Sequence, residues 1–187
     1  MMNLLREDLI MESLGKLEKT LLKWIQNVPH LPEVARKWLG DNMWWIALVG
    51  AILTAIGILF SIIGLIGAVS IIGTVAASYY AASTFTSWAI VTGLVGLAFS
   101  VAQGVLLATA VKPLQLKQKK GWVLLFATWL VGVLSVVVSS ILSLNPLGFI
   151  LGILFGAIWI AISGYLLFEI HGQFAHVEKS KGVKAAK

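Results

Sequence analysis

Apolar and polar positions alternate in two different ways along this chain. Between residues 3 and 28 the apolar side chains Ile10, Leu14, Leu17, Leu21, Trp24 and Val28 recur at steps of four and three, the spacing that lines up one face of a helix. Pro29 and Pro32 then bracket His30 and Leu31 and end that helix, because proline lacks the amide proton and restricts the residue before it. From Trp44 to Val111, and again from Gly121 to Phe168, there is no Asp, Glu, Lys, Arg or His at all. A helix crosses roughly 30 Å of hydrocarbon with about 20 mostly apolar residues, so each block predicts two spans and a turn.

The expected spans are about 44–70, 88–111, 122–143 and 147–169. Glu33 to Leu39 predicts a short helix that Gly40 stops, with Asp41 or Asn42 capping the first span. Ala81 to Ser87, rich in Ser and Thr and flanked by Tyr79, Tyr80 and Trp88, reads as the first outer turn. Residues 70–78 either prolong span one or break near Gly73. Asn145-Pro146 reads as the second outer turn. Trp44, Trp45 and Trp122 are expected at the headgroup level, where an indole has both an apolar surround and a partner for its N–H. The fold class is thus all-α: a polytopic membrane protein, a four-transmembrane-helix bundle preceded by a cytoplasmic amphipathic helix. Its parts are 1–43, the bundle over 44–170, and a basic, disordered tail over 171–187.

Charge orients the bundle. Of the 14 Lys and Arg, six precede Met43, four lie in Lys112 to Lys120 and four follow from Lys179, with none in the outer turns. Basic short loops stay cytoplasmic, so both termini and the basic loop are expected inside a cell membrane. The net charge of +6 then faces an anionic leaflet and calls for no nucleic acid. The chain contains no cysteine, which excludes disulfides and thiol chemistry. No signal-peptide pattern precedes Trp44, so the first span is expected to act as an uncleaved insertion signal.

Small residues form the strongest pattern inside the spans. Gly50, Thr54, Gly57, Ser61 and Gly64 follow one face of span one; Gly96, Ser100 and Gly104 recur at every fourth position of span two; and Gly148, Gly152 and Gly156 do so in span four, with Gly164 further on. In a bilayer, helices associate by close backbone approach and interhelical hydrogen bonds. These residues are therefore expected to pack the bundle, mainly within one chain.

Chemistry is sparse. Gln103 is the strongly polar side chain well inside a span, expected in an interhelical hydrogen bond near Ser100 or Thr92, with a pore or substrate contact as the alternative. Glu169, His171 and His176 gather at the end of span four, but Glu169 and His171, two apart, sit on different helix faces and no fourth ligand is evident, so interfacial solvation is expected rather than metal binding. Spacing suggests no partner for His30. No nucleophile has a base beside it, and Gly64 to Gly67 lacks the lysine of a phosphate loop. No cofactor and no catalysis are expected. The reading is a non-enzymatic scaffold or assembly protein whose face Ile10, Leu14, Leu17, Leu21, Trp24 and Val28 docks a protein partner, a second copy or the lipid bilayer. A small oligomeric channel or transporter with glycine-lined faces is the alternative, and a lipid-binding or membrane-shaping protein the third.

Overall fold

The computed structural model describes residues 15–18, 20, 21, 23, 28–75, 80–143 and 146–174. Among them there are no strands, and four helices are long and apolar enough to cross a membrane. They are α1 (Glu33–Val75), α2 (Tyr80–Gln115), α3 (Lys119–Ile141) and α4 (Pro146–Glu169). Each packs on the next in the chain, an up-and-down order that the short connections enforce. Gly15–Glu18, Thr20, Leu21 and Lys23 are also helical. Ile10, Leu14 and Trp24 lie outside the described residues.

The helices are longer than the expected spans. α1 has 43 residues, about 65 Å at 1.5 Å per residue, and runs straight through Gly40 and Asp41. Gly40 is not a stop. It is buried, and a Cβ there would lie 2.9 Å from Gln173 Cγ, so the missing side chain lets the segment after α4 cross close to α1. Asn42 is not a cap either: its amide donates to Trp38 O at 2.8 Å and its carbonyl oxygen accepts from Trp45 Nε1 at 3.0 Å. Helix also continues through residues 71–75 and begins again at Tyr80, so span one is prolonged rather than broken at Gly73. The whole of the turn expected over 81–87 is instead the first part of α2. Leu144 and Asn145 lie outside the described residues.

The connection between α2 and α3 follows from backbone hydrogen bonding. Lys117 has φ 51°, Gln118 N–H donates to Pro113 O at 2.9 Å and Lys117 N–H to Leu114 O at 3.0 Å. That is a Schellman ending, in which one left-handed residue turns the chain and satisfies the last carbonyls. The turn brings Gly121 hard against α2: a Cβ there would lie 2.7 Å from Leu114 N and 2.9 Å from Pro113 C. At the far end Trp88 Nε1 donates to Leu142 O at 2.9 Å and ties α2 to the close of α3.

Burial is concentrated at the end of the bundle that carries Lys112, Lys117, Lys119 and Lys120, the basic end. Trp122, Phe126, Leu114, Ile170 and Phe174 are its most enclosed large side chains. Trp122 is 1% exposed, so it is core rather than an interfacial anchor; it stacks on Phe126 at 5.4 Å and its N–H donates to Leu167 O at 2.9 Å. The tail likewise starts later than expected, since residues 171–174 are helical and Phe174 is fully buried. Residues 175–187 lie outside the described residues. Toward the far end the outward positions of α1 and α4 are large and apolar, including Leu59, Phe60, Ile63, Phe155 and Trp159. Such a surface is compatible with a multi-pass membrane helical bundle.

Candidate functional site

Three chain segments meet at the basic end, and their polar groups form two connected clasps. The first is built on Glu169, the last residue of α4, whose side chain is wholly buried. An ionised carboxylate accepts hydrogen bonds only, and here it accepts from His30 Nδ1 at 2.7 Å and from Leu31 N–H at 3.3 Å. Arg36 Nε, in the first turns of α1, lies 3.7 Å from the other oxygen. A carboxylate at a helix C-terminus opposes the helix dipole, and burial penalises its charge further. The cationic and N–H groups of the 30–36 segment offset both effects. Tyr165, one turn earlier, donates its hydroxyl to Pro29 O at 2.8 Å.

The second clasp uses the segment ahead of the prolines. Glu18 accepts from His171 Nε2 at 2.6 Å, and the same imidazole stands edge-on to the Trp122 ring at 4.6 Å. Leu21 packs against the buried core at this end. Leu17 and Val28, from the same proposed face, are 49% and 40% exposed. A third contact fixes the other side: the Lys117 ammonium donates to Gly40 O and to Asp41 Oδ1, the latter at 2.8 Å, and lies 5.3 Å from the centre of the Phe174 ring. Lys117 therefore joins the α2–α3 turn to α1 and to the end of the described chain. Its left-handed backbone is held in place by these contacts.

Glu169 and His171 are thus paired within the fold rather than left to solvent at an interface. Glu169 and His171 do diverge on the helix, but each meets a residue from the segment ahead of α1. His30, without a visible partner in the sequence, is the partner of Glu169. The one signal in the sequence is chemical: a lone acid closing a long uncharged helix needs a cation or N–H donors, and the proline-bracketed His30 is a histidine to which spacing gives no other partner. Among the described residues no three His, Cys, Asp or Glu converge as metal ligands. His176 lies outside the described residues.

The small-residue positions divide into met and unmet. Thr54 packs on Gly104, where a Cβ would lie 3.3 Å from Thr54 Cγ2, and Gly50 faces Leu107 at 3.6 Å. Gly152 faces Ser140 Oγ at 3.2 Å, and Gly156 lies directly against Val136. Gly57, Gly64 and Gly96 have nothing within 4 Å of where a Cβ would stand. Ser61, Gly64, Gly96 and Ser100 instead line a cleft of about 460 Å³ between α1 and α2, bridged where Leu65 reaches Gly93. Gly148 lines a smaller cleft of about 320 Å³ with Ser139, Ser140 and Ser143. Ser61 and Ser100 donate to the carbonyls of Gly57 and Gly96, each four residues back on its own helix. Gln103 lines a groove of about 530 Å³ against α3 and α4. Its amide makes no hydrogen bond among the described residues, neither to Ser100 nor to Thr92.

Comparison of the chain with protein-family models, with curated proteins and with solved structures found no match.

Proposed function

We propose that this chain is a multi-pass protein of a cell membrane, with both termini cytoplasmic, that serves as a non-enzymatic assembly or scaffold component. Four apolar helices support the membrane reading. The observation that carries the assembly reading is the unmet set on α1 and α2. Within the chain Gly93, Gly104, Gly121, Gly156 and Gly164 are each filled by a neighbour, whereas Gly64 and Gly96 border the α1–α2 cleft and Gly57, two turns before Gly64 on α1, has nothing within 4 Å of where a Cβ would stand. Lipid is as apolar as a leucine side chain, so a small-walled cleft gains from a second helix through close backbone contact rather than through hydrophobic burial.

The clasps at the basic end suit the same role. They hold the segment before α1 at a set position on the bundle, where its exposed positions, Leu17 and Val28 among them, are offered to a cytoplasmic partner. The test is the mass of the purified full chain in lipid nanodiscs, compared with a Gly57→Leu/Gly64→Leu double variant. A defined oligomer that the double variant reduces to monomer is the expected result. A monomeric full chain, or an oligomer indifferent to both substitutions, rules the reading out.

A further inference from the structure

The groove against α3 and α4 is chemically different from the α1–α2 cleft. Its walls are mostly apolar and include the rings of Trp129 and Trp159, yet Gln103, Thr128, Ser135 and Ser163 also line it. Thr128 and Ser163 spend their hydroxyl protons on their own helix, donating to Leu124 O at 2.9 Å and Trp159 O at 2.6 Å. They keep oxygen lone pairs to offer. The Gln103 amide and the Ser135 hydroxyl make no hydrogen bond among the described residues. An amide left unpaired in hydrocarbon is costly, and a volume of about 530 Å³ falls in the range of small-molecule sites.

These features restrict the occupant. A plain acyl chain fills the apolar walls but leaves the amide unpaired. A charged head finds no ionisable side chain in the lining, and charge at this depth is expensive without one. We infer that the groove binds an uncharged, largely hydrocarbon molecule drawn from the bilayer, bearing a hydroxyl or carbonyl group that hydrogen-bonds Gln103. The inference goes beyond the scaffold reading: it needs the chain to be in a membrane, but not assembly through α1.

The experiment uses the full chain in nanodiscs and three photoreactive probes of equal length, a long-chain alcohol, the corresponding alkane and the corresponding fatty acid, with adducts mapped by mass spectrometry. The alcohol is expected to label Leu125 to Val136 and Trp159 to Leu167 about two- to tenfold above the alkane, the ratio expected from one neutral hydrogen bond, and to be displaced by unlabelled alcohol. Gln103→Leu should bring the alcohol down to the alkane's level and leave the alkane unchanged. Should that variant fail to assemble, Gln103→Met carries the same expectation. Equal labelling by alcohol and alkane, labelling strongest with the fatty acid, adducts spread over Leu59 to Ile63, or cross-links between copies through the groove would each overturn the inference. A chain that does not enter nanodiscs at all would overturn the membrane reading instead.

Discussion

Gly121 and Gly164 are positions where one carbon atom decides whether the helices can meet. A Cβ at Gly121 runs into the backbone of α2, which cannot rotate away, and a Cβ at Gly164 would lie 2.9 Å from Trp129 Cζ2. The close approach at Gly164 is what allows the Trp129 N–H to reach Ile160 O at 3.1 Å. Gly121→Ala and Gly164→Ala are each expected to lower stability by about 1–3 kcal/mol, the usual cost of overpacking, measured as thermal unfolding of the chain in nanodiscs. Gly67 has nothing within 4 Å, so Gly67→Ala should raise stability by about 0.5–1 kcal/mol, since alanine loses less backbone freedom in a helix. If all three shift in the same direction, the division into met and unmet glycines is wrong. Periodicity made the small faces legible, because it depends only on the helix repeat. It could not say which glycines are filled, since that depends on a side chain from another helix, such as Trp129 or Val136, arriving at the same height.

The helices themselves were legible as elements because their signal is long and unbroken by charge, and the helix ends were less so. Gly40 carries a stop signal that tertiary contact overrides: the segment after α4 needs the space and Lys117 takes up its carbonyl. Trp122 and Glu169 depart from an interfacial position for a related reason. Residue type and place along the chain suggest the interface, whereas Trp122 is enclosed by Phe126, Phe168 and His171 and Glu169 meets the segment around His30 and Arg36 folding back on the bundle end. That fold-back depends on few groups. Glu169→Ala removes the acceptor that His30 Nδ1 and Leu31 N–H share and the carboxylate beside Arg36, and with them the contacts that hold the segment ahead of α1 to the end of α4. The expected outcome is faster proteolytic cleavage within residues 15–31, with the four-helix core resisting as before. Lys117→Ala should instead destabilise the joined ends of α1, α2 and α4 together, visible as a lower unfolding temperature with no selective cleavage ahead of α1. A Glu169→Ala chain cleaved no faster than the parent would show that the clasp does not hold the segment.

At the scale of the whole molecule, the packing is uneven: the enclosed core lies at the basic end, while clefts of about 460 and 320 Å³ mark the rest. Charge and packing point to the same end, since all described Lys and Arg lie ahead of Met43 or between Lys112 and Lys120, in the last turn of α2, the connection and the first turn of α3. On the proposed membrane reading, four crossings put the segment before α1 and the chain after α4 on one side of a bilayer, and the basic bias assigns that side to the cytoplasm. The absence of cysteine from the chain makes this testable without background, because any introduced thiol is the only one present. Ser13→Cys, Ser143→Cys and Ser180→Cys sample the two terminal segments and the end of α3. In intact cells a membrane-impermeant maleimide is expected to modify Ser143→Cys alone, and the other two only after permeabilisation. The reverse pattern would mean that the basic bias does not set the orientation. Labelling of Ser13→Cys but not Ser180→Cys would mean an odd number of crossings, so that one of the four apolar helices does not span.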